Sequence, residues 1–110
     1  DETSYIALTD SPEDAAKKIK KYAFSGGKDT IEEHRKHGGN PDIDVSFQML
    51  KYGLEEDDKK LDKIYNDYKS GKILSGELKQ ILIEKITVFL KEHQKKRELA
   101  KKQIDKFIYK

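Results

Sequence analysis

Hydrophobic residues recur three and four positions apart along most of this chain, the spacing that lines one face of an α-helix. The longest run is Leu78, Ile81, Leu82, Ile86, Phe89 and Leu90, resumed at Ala100, Ile104, Phe107 and Ile108. Between Leu90 and Ala100 only Leu99 is apolar, so the distal part of this helix is expected to protrude or pack loosely. Ser75 is the expected cap at its start.

Shorter helices are predicted upstream. Ser11 caps the first, Pro12 suits its opening position, and Glu13 and Asp14 favour its positive end. Ala15, Ala16, Ile19, Tyr22 and Ala23 form its inner face, and Gly26-Gly27 is the expected stop. Asp29 or Thr30 caps a second helix, with Thr30 and Glu33 as a capping box. It runs through Ile31, His34 and Arg35 to Gly38-Gly39. Asp42 or Asp44 opens a third, with Val45, Phe47, Leu50 and Leu54 inward. Met49 and Tyr52 widen that face, and Gly53 weakens its end. Residues 55–58 start a fourth, carrying Leu61, Ile64, Tyr65 and Tyr68 and ended by Gly71. The expected fold is all-α: a bundle of about five helices with a long C-terminal helix. Tyr5-Ile6-Ala7-Leu8-Thr9 stands apart as a β-compatible run without a partner, either a tail or an edge of a larger sheet.

Composition raises one challenge to this picture. Of 110 residues, 40% are charged, high enough that disorder has to be weighed. The helical periodicity argues against it. The length fits one domain with a single modest core. The absence of Cys excludes a disulfide framework, a Cys-type zinc site and a Cys nucleophile. No apolar run is long enough to span a membrane, and the first residues do not read as a signal peptide.

Charge is unevenly spread. Residues 77–110 carry 10 basic and 5 acidic groups, net +5, and residues 1–76 carry 13 basic and 16 acidic groups, net −3. A basic terminal helix beside an acidic body suits a polyanion, although a solvated helix face needs the same residues.

Chemistry is sparse. His34, His37 and His93 are the only histidines. His34 and His37 lie i,i+3 on one short helix, but a metal would need further ligands. The simpler reading is a polar helix end that favours cations. Asp42-Ile43-Asp44 lacks the length and downstream Glu of an EF-hand loop. No Walker loop or GxGxxG occurs. No catalytic residue and no metal site are assigned.

Ser25-Gly26-Gly27-Lys28-Asp29-Thr30 is more suggestive. Gly26 and Gly27 let backbone approach a ligand, and a helix N-terminus follows. Lys28 adds charge, and Asp29 can accept from a base edge. A helix C-cap followed by an N-cap explains the same residues.

This segment carries a resemblance. Tyr22-Ala23-Phe24-Ser25-Gly26-Gly27-Lys28-Asp29-Thr30-Ile31-Glu32-Glu33-His34-Arg35 is similar to part of the C-terminal region of tryptophanyl-tRNA synthetases of the eukaryotic and archaeal type. In the same order follow Gly38-Gly39-Asn40-Pro41-Asp42-Ile43-Asp44-Val45-Ser46-Phe47, then Tyr68-Lys69-Ser70-Gly71. Leu74-Ser75-Gly76-Glu77-Leu78-Lys79 and Glu92-His93-Gln94 with Arg97 complete the series. The resemblance covers nearly the whole chain, from about Ile6 to Phe107. It implies that residues 11–110 form a helical anticodon-binding domain. Residues 1–10 would lead out of a catalytic domain, whose HIGH-like and KMSKS-like motifs are not in this sequence. The chain is then expected to be a fragment with no cofactor of its own, and ATP with Mg, tryptophan and adenylation would belong to the parent enzyme. The partners implied are tRNA(Trp) and the parent catalytic domain, in the cytoplasm and with no membrane. The parent would be a homodimer and the fragment a monomer.

The resemblance also implies RNA contacts at Gly26, Gly27, Lys28, Asp29 and Lys79. An anticodon base presents Watson–Crick edges and a stackable face. Asp29 would accept from a cytosine amino group, and Lys79 would meet a phosphate or a carbonyl. Lys28 stands where the family commonly has arginine, and lacks its planar fork. The alternative is a plain helical interaction or dimerisation module built on the long last helix.

Overall fold

The computed structural model describes residues 6–108, with side chains as far as residue 104. The helices are α1 (Pro12–Tyr22), α2 (Ile31–His37), α3 (Val45–Met49), α4 (Asp58–Lys69) and α5 (Ser75–Ile108). This is the all-α arrangement with a long last helix that the periodicity predicts.

The core is built along the first turns of α5. Leu78, Leu82, Ile86 and Leu90, four residues apart, are all buried, with Ile83 beside them. Residues at that spacing stack on one helix face. Ala15 and Ile19 of α1, Phe47 and Leu50 around α3, and Tyr68 of α4 close over this stripe. Each fully buried Leu or Ile removes enough apolar surface to contribute roughly 1.5–3 kcal/mol. Beyond Leu90 the stripe stops. Residues 95–104 are all exposed, and the molecule measures 65 × 30 × 18 Å.

Local chemistry sets the helix ends. Ser11, Thr30, Asp44 and Asp57 each accept a backbone N–H from the first turn that follows them. Thr30 and Asp44, not Asp29 and Asp42, are therefore the caps. Gly38 and Gly71 end α2 and α4 with positive φ, where a Cβ is strained. After α3 the chain makes one wider π-helical turn, Leu50–Leu54. Its end carries Gly53, as the weak helix propensity there anticipates.

Two sequence expectations need correction. First, Gly26-Gly27 does not stop α1, which ends at Tyr22 with Ala23 already extended. Residues 24–26 instead pair with the loop before α3. The Val45 N–H donates to the Phe24 carbonyl at 3.0 Å, and the Asn40 N–H to the Gly26 carbonyl at 2.8 Å. Partners across the fold outcompete one more helical turn. Second, Ser75 lies inside α5 and is not its cap. Glu77 closes the helix start by accepting the Leu74 N–H at 3.0 Å. Of the two readings of the β-compatible run, a tail or a sheet edge, no strand forms over Ile6–Thr9 among the described residues. Ile6 packs on the core and the rest turns towards α1. Tyr5 lies outside the described residues.

Candidate nucleic-acid interface

Of the residues singled out, Lys28 and Asp29 line one cleft and Lys79 lines another beside it. Lys28, Asp29, Thr30 and Ile31 form one wall of a cleft of about 450 Å³, and Leu74, Ser75, Gly76 and Glu77 form the other. Lys79 lies one turn further along α5, in an adjoining hollow with Lys20, Ser25, Gln80 and Ile83. Ser75 and Gly76 border both spaces. The first turn of α5 thus separates Asp29 from Lys79.

These side chains differ in how they are held. Lys28 and Asp29 are exposed and make no hydrogen bond or ion pair among the described residues. Because Thr30 takes the capping role, the Asp29 carboxylate keeps its acceptors for something else. Lys79 is half-buried, and its ammonium donates to the Lys20 carbonyl at 3.3 Å near the end of α1. That bond leaves two N–H groups for a ligand. Gly26 is buried and lines neither space. Its N–H and carbonyl both serve the fold. Gly27 permits the close approach: a Cβ there would fall on the Ser75 hydroxyl and crowd the His34 ring. Of the two glycines, it is Gly27 that brings the turn against α5.

A buried polar network fixes this contact. Asp44 is almost fully buried, and its carboxylate accepts from the N–H groups of Gly26 at 2.9 Å and Phe47 at 3.0 Å. The Tyr68 hydroxyl donates to the same carboxylate at 2.9 Å and lies 2.8 Å from the Ser75 hydroxyl. Burial is the main cause that pushes the Tyr68 phenol well above its ordinary pKa, the Asp44 charge adds to it, and the Ser75 bond opposes it. The phenol is therefore neutral and keeps its proton throughout the physiological range.

His34 completes the support. It is 2% exposed, not a solvated helix end. Its Nε2–H donates to the Ile73 carbonyl at 2.8 Å, and its ring lies 5.1 Å from that of Tyr68. His37 is exposed, so the two imidazoles do not converge. Arg35 donates to the carbonyls of Gly71 and Lys72 and faces Glu77 at 3.6 Å, tying α2 to the start of α5.

Sequence reasoning treated Tyr68 only as an apolar position and Asp44 only as a cap. A tyrosine on a core face needs a partner for its hydroxyl, and that requirement was the available signal. Its identity was not readable, because Asp44 and Ser75 lie on other elements. Among the described residues, no group of three or more His, Cys, Asp or Glu is placed to hold a metal ion.

An acceptor and two cations around a glycine-supported turn suit a nucleic-acid edge and backbone better than they suit bond-making chemistry. Residues 1–91 match the family described as tRNA synthetases class I (W and Y). The chain belongs to that family. It is 62% identical over 104 residues to the tryptophan–tRNA ligase of Sulfurisphaera tokodaii, covering 94% of this chain and 27% of the relative. It is 51% identical over 106 residues to the human cytoplasmic tryptophan–tRNA ligase, covering 96% and 22%. The crystal structure of tryptophanyl-tRNA synthetase from the archaeon Aeropyrum pernix superposes with a TM-score of 0.87 at 44% identity, over 92% of this chain and 27% of that one. The chain thus spans about a quarter of the length of the relatives it matches.

Proposed function

We propose that this chain is the anticodon-binding part of a tryptophan–tRNA ligase and recognises tRNA(Trp) for translation. The observation that carries the proposal is the cleft that sets the Lys28–Asp29 turn against the first turn of α5. Asp29 supplies acceptors suited to an amino group on a base edge, and Lys28 and Lys79 supply cations suited to phosphate or carbonyl oxygens. Gly27 lets the turn and the helix close to this distance, and Gly26 anchors the turn through Asp44. The basic distal half of α5 adds attraction for RNA of any sequence.

Tryptophan activation with ATP and Mg belongs, in this reading, to the remainder of the polypeptide. Among the described residues, no group of three or more His, Cys, Asp or Glu is placed to hold a metal ion. No step of aminoacylation is assigned to them. The parent acts as a cytoplasmic homodimer joined chiefly through its catalytic domain, and this chain alone is a monomer. No helix among the described residues is long and apolar enough to cross a membrane.

The alternative of a dimerising helix loses its main support. Of the regularly spaced residues, Leu78, Leu82, Ile86 and Leu90 face the chain's own core, while Phe89 at 44% exposure and, further along, Leu99, Ala100 and Ile104 are exposed. A concentration-dependent dimer in light scattering would revive it.

The test is a titration with tRNA(Trp) and with the same tRNA carrying an altered anticodon, across a range of salt. Affinity for both falls as salt rises, while the preference for the cognate anticodon persists. Equal affinity at every salt concentration sinks the proposal.

A further inference from the structure

The hydrogen-bond chain from Gly26 to Ser75 has a direction, and the direction makes it selective. The Tyr68 hydroxyl has a single hydrogen, which goes to the Asp44 carboxylate at 2.9 Å. In the 2.8 Å contact with Ser75 the phenol oxygen is therefore the acceptor, and Ser75 is the donor. This commits the only hydroxyl hydrogen of Ser75 to the protein interior. What remains of that hydroxyl is its lone pairs, at the border of both spaces beside Asp29 and Lys79. A free serine hydroxyl rotates to suit a donor or an acceptor, and this one cannot.

We propose that Ser75 is a specificity-determining hydrogen-bond acceptor for a base amino group, and that Tyr68 is the positioning residue that denies it a donor role. The inference rests on the anticodon reading above and deepens it. The match in chemistry is independent of either residue: the triplet complementary to UGG is CCA, and all of its bases carry an exocyclic amino group. An acceptor-only hydroxyl next to the Asp29 carboxylate favours such bases over those that present a carbonyl in the same place, such as uracil or hypoxanthine. The same chain of bonds seats the turn. Gly26 donates to the Asp44 oxygen that also accepts from Tyr68, so loss of the phenol hydroxyl loosens Asp29 and Ser75 together.

The experiment uses the tRNA(Trp) anticodon stem-loop and its variants with one base exchanged at a time, C to U or A to inosine. Each exchange replaces an amino group by a carbonyl. Wild-type protein prefers the unmodified loop, by about tenfold at the position that meets Ser75, the worth of one good hydrogen bond. Tyr68→Phe and Ser75→Ala each lose that preference at the same position; Ser75→Ala keeps it at the others, and Tyr68→Phe keeps it wherever neither Ser75 nor Asp29 meets the base. At the position that meets Ser75 the double variant loses no more than Ser75→Ala alone. A merely structural defect would instead weaken every loop alike. Full preference retained at every position by either single variant overturns the proposal. If Tyr68→Phe does not fold, Ser75→Ala decides by itself. A wild-type protein indifferent to all three exchanges would instead remove the anticodon reading on which the proposal stands.

Discussion

The two halves of α5 differ in burial, in charge and in what they touch. Residues 75–90 hold Leu78, Leu82, Ile83, Ile86 and Leu90 in the core. Their basic residues, Lys79 and Lys85, are balanced by Glu77 and Glu84. Most of these charges have partners: Lys85 pairs with Glu55 at 3.3 Å, Glu77 faces Arg35, and Lys79 meets the Lys20 carbonyl. Residues 91–104 carry Lys91, Lys95, Lys96, Arg97, Lys101 and Lys102 against Glu92 and Glu98. Among the described residues these charges form no ion pair, and every one of them is exposed. One half is arranged by its neighbours; the other is an exposed and mostly positive strip. Under the proposed function the first would discriminate between ligands and the second would attract RNA of any sequence, separating specificity and affinity along one helix.

The largest effect that could break this comparison is on stability. Leu82→Ala removes a side chain that is 0% exposed and leaves a cavity, at an expected cost of about 2–5 kcal/mol. Leu99→Ala, at 52% exposure, is expected to stay within about 0.5 kcal/mol of wild type. Urea unfolding of both measures the gap. Similar losses would mean that the distal half packs as the proximal half does.

The next effect concerns discrimination. Asp29→Ala removes exposed acceptors that make no hydrogen bond or ion pair among the described residues, so stability should hardly change. Preference for the cognate anticodon should fall by about 1–3 kcal/mol, the range for one base contact. Paired titrations with cognate and altered tRNA read it, and an unchanged preference removes Asp29 from the role.

The distal half should answer in the opposite way. Replacing Lys95, Lys96 and Lys101 by Ala weakens cognate and altered tRNA equally. The slope of log affinity against log salt becomes shallower by about 0.7–0.9 for each phosphate that these lysines neutralise in the wild type. The ratio between the two tRNAs stays constant. A change in that ratio would place part of the reading on the distal helix and blur the division.

Much of the body could be read from sequence because its signals are local. Ser11, Thr30 and Asp44 cap within three residues of their own position, and Leu78 to Leu90 declare a helix face by spacing alone. The protruding end was equally legible, since between Leu90 and Ala100 only Leu99 is apolar and little there can be buried. What sequence did not reveal is non-local. The end of α1 depends on Asn40 and Val45, the role of Ser75 on Tyr68, and the burial of His34 on the Ile73 carbonyl across 39 residues. The candidate site divides in the same manner. Lys28, Asp29 and Lys79 stood out by chemistry and resemblance, while Asp44, Tyr68 and Ser75, which arrange them, emerge only when the elements are packed.

The smallest expected effect locates the boundary between the halves. Gln94 is the last residue of α5 with a described tether to the body: its side-chain amide donates to the Asp10 carbonyl at 2.8 Å. Asp10 is held in turn by its own carboxylate, which accepts from the Lys18 ammonium at 2.8 Å and the Ala7 N–H at 2.9 Å. The Lys18 bond, and then the Ala7 bond, keep this carboxyl below the usual aspartate pKa. The folded state therefore releases the proton more readily than the unfolded chain does. The contribution to stability is present above the unfolded pKa and disappears as pH falls through the folded one. Asp10→Asn should lower the melting temperature slightly at pH 7, and the difference from wild type should close in acid. Amide hydrogen exchange should quicken over residues 6–10 and near Gln94, and remain unchanged at Leu78 and Leu82. Faster exchange that reaches Leu82 would show that the tether supports the discriminating half as well, and that the helix is less divided than its burial and charge indicate.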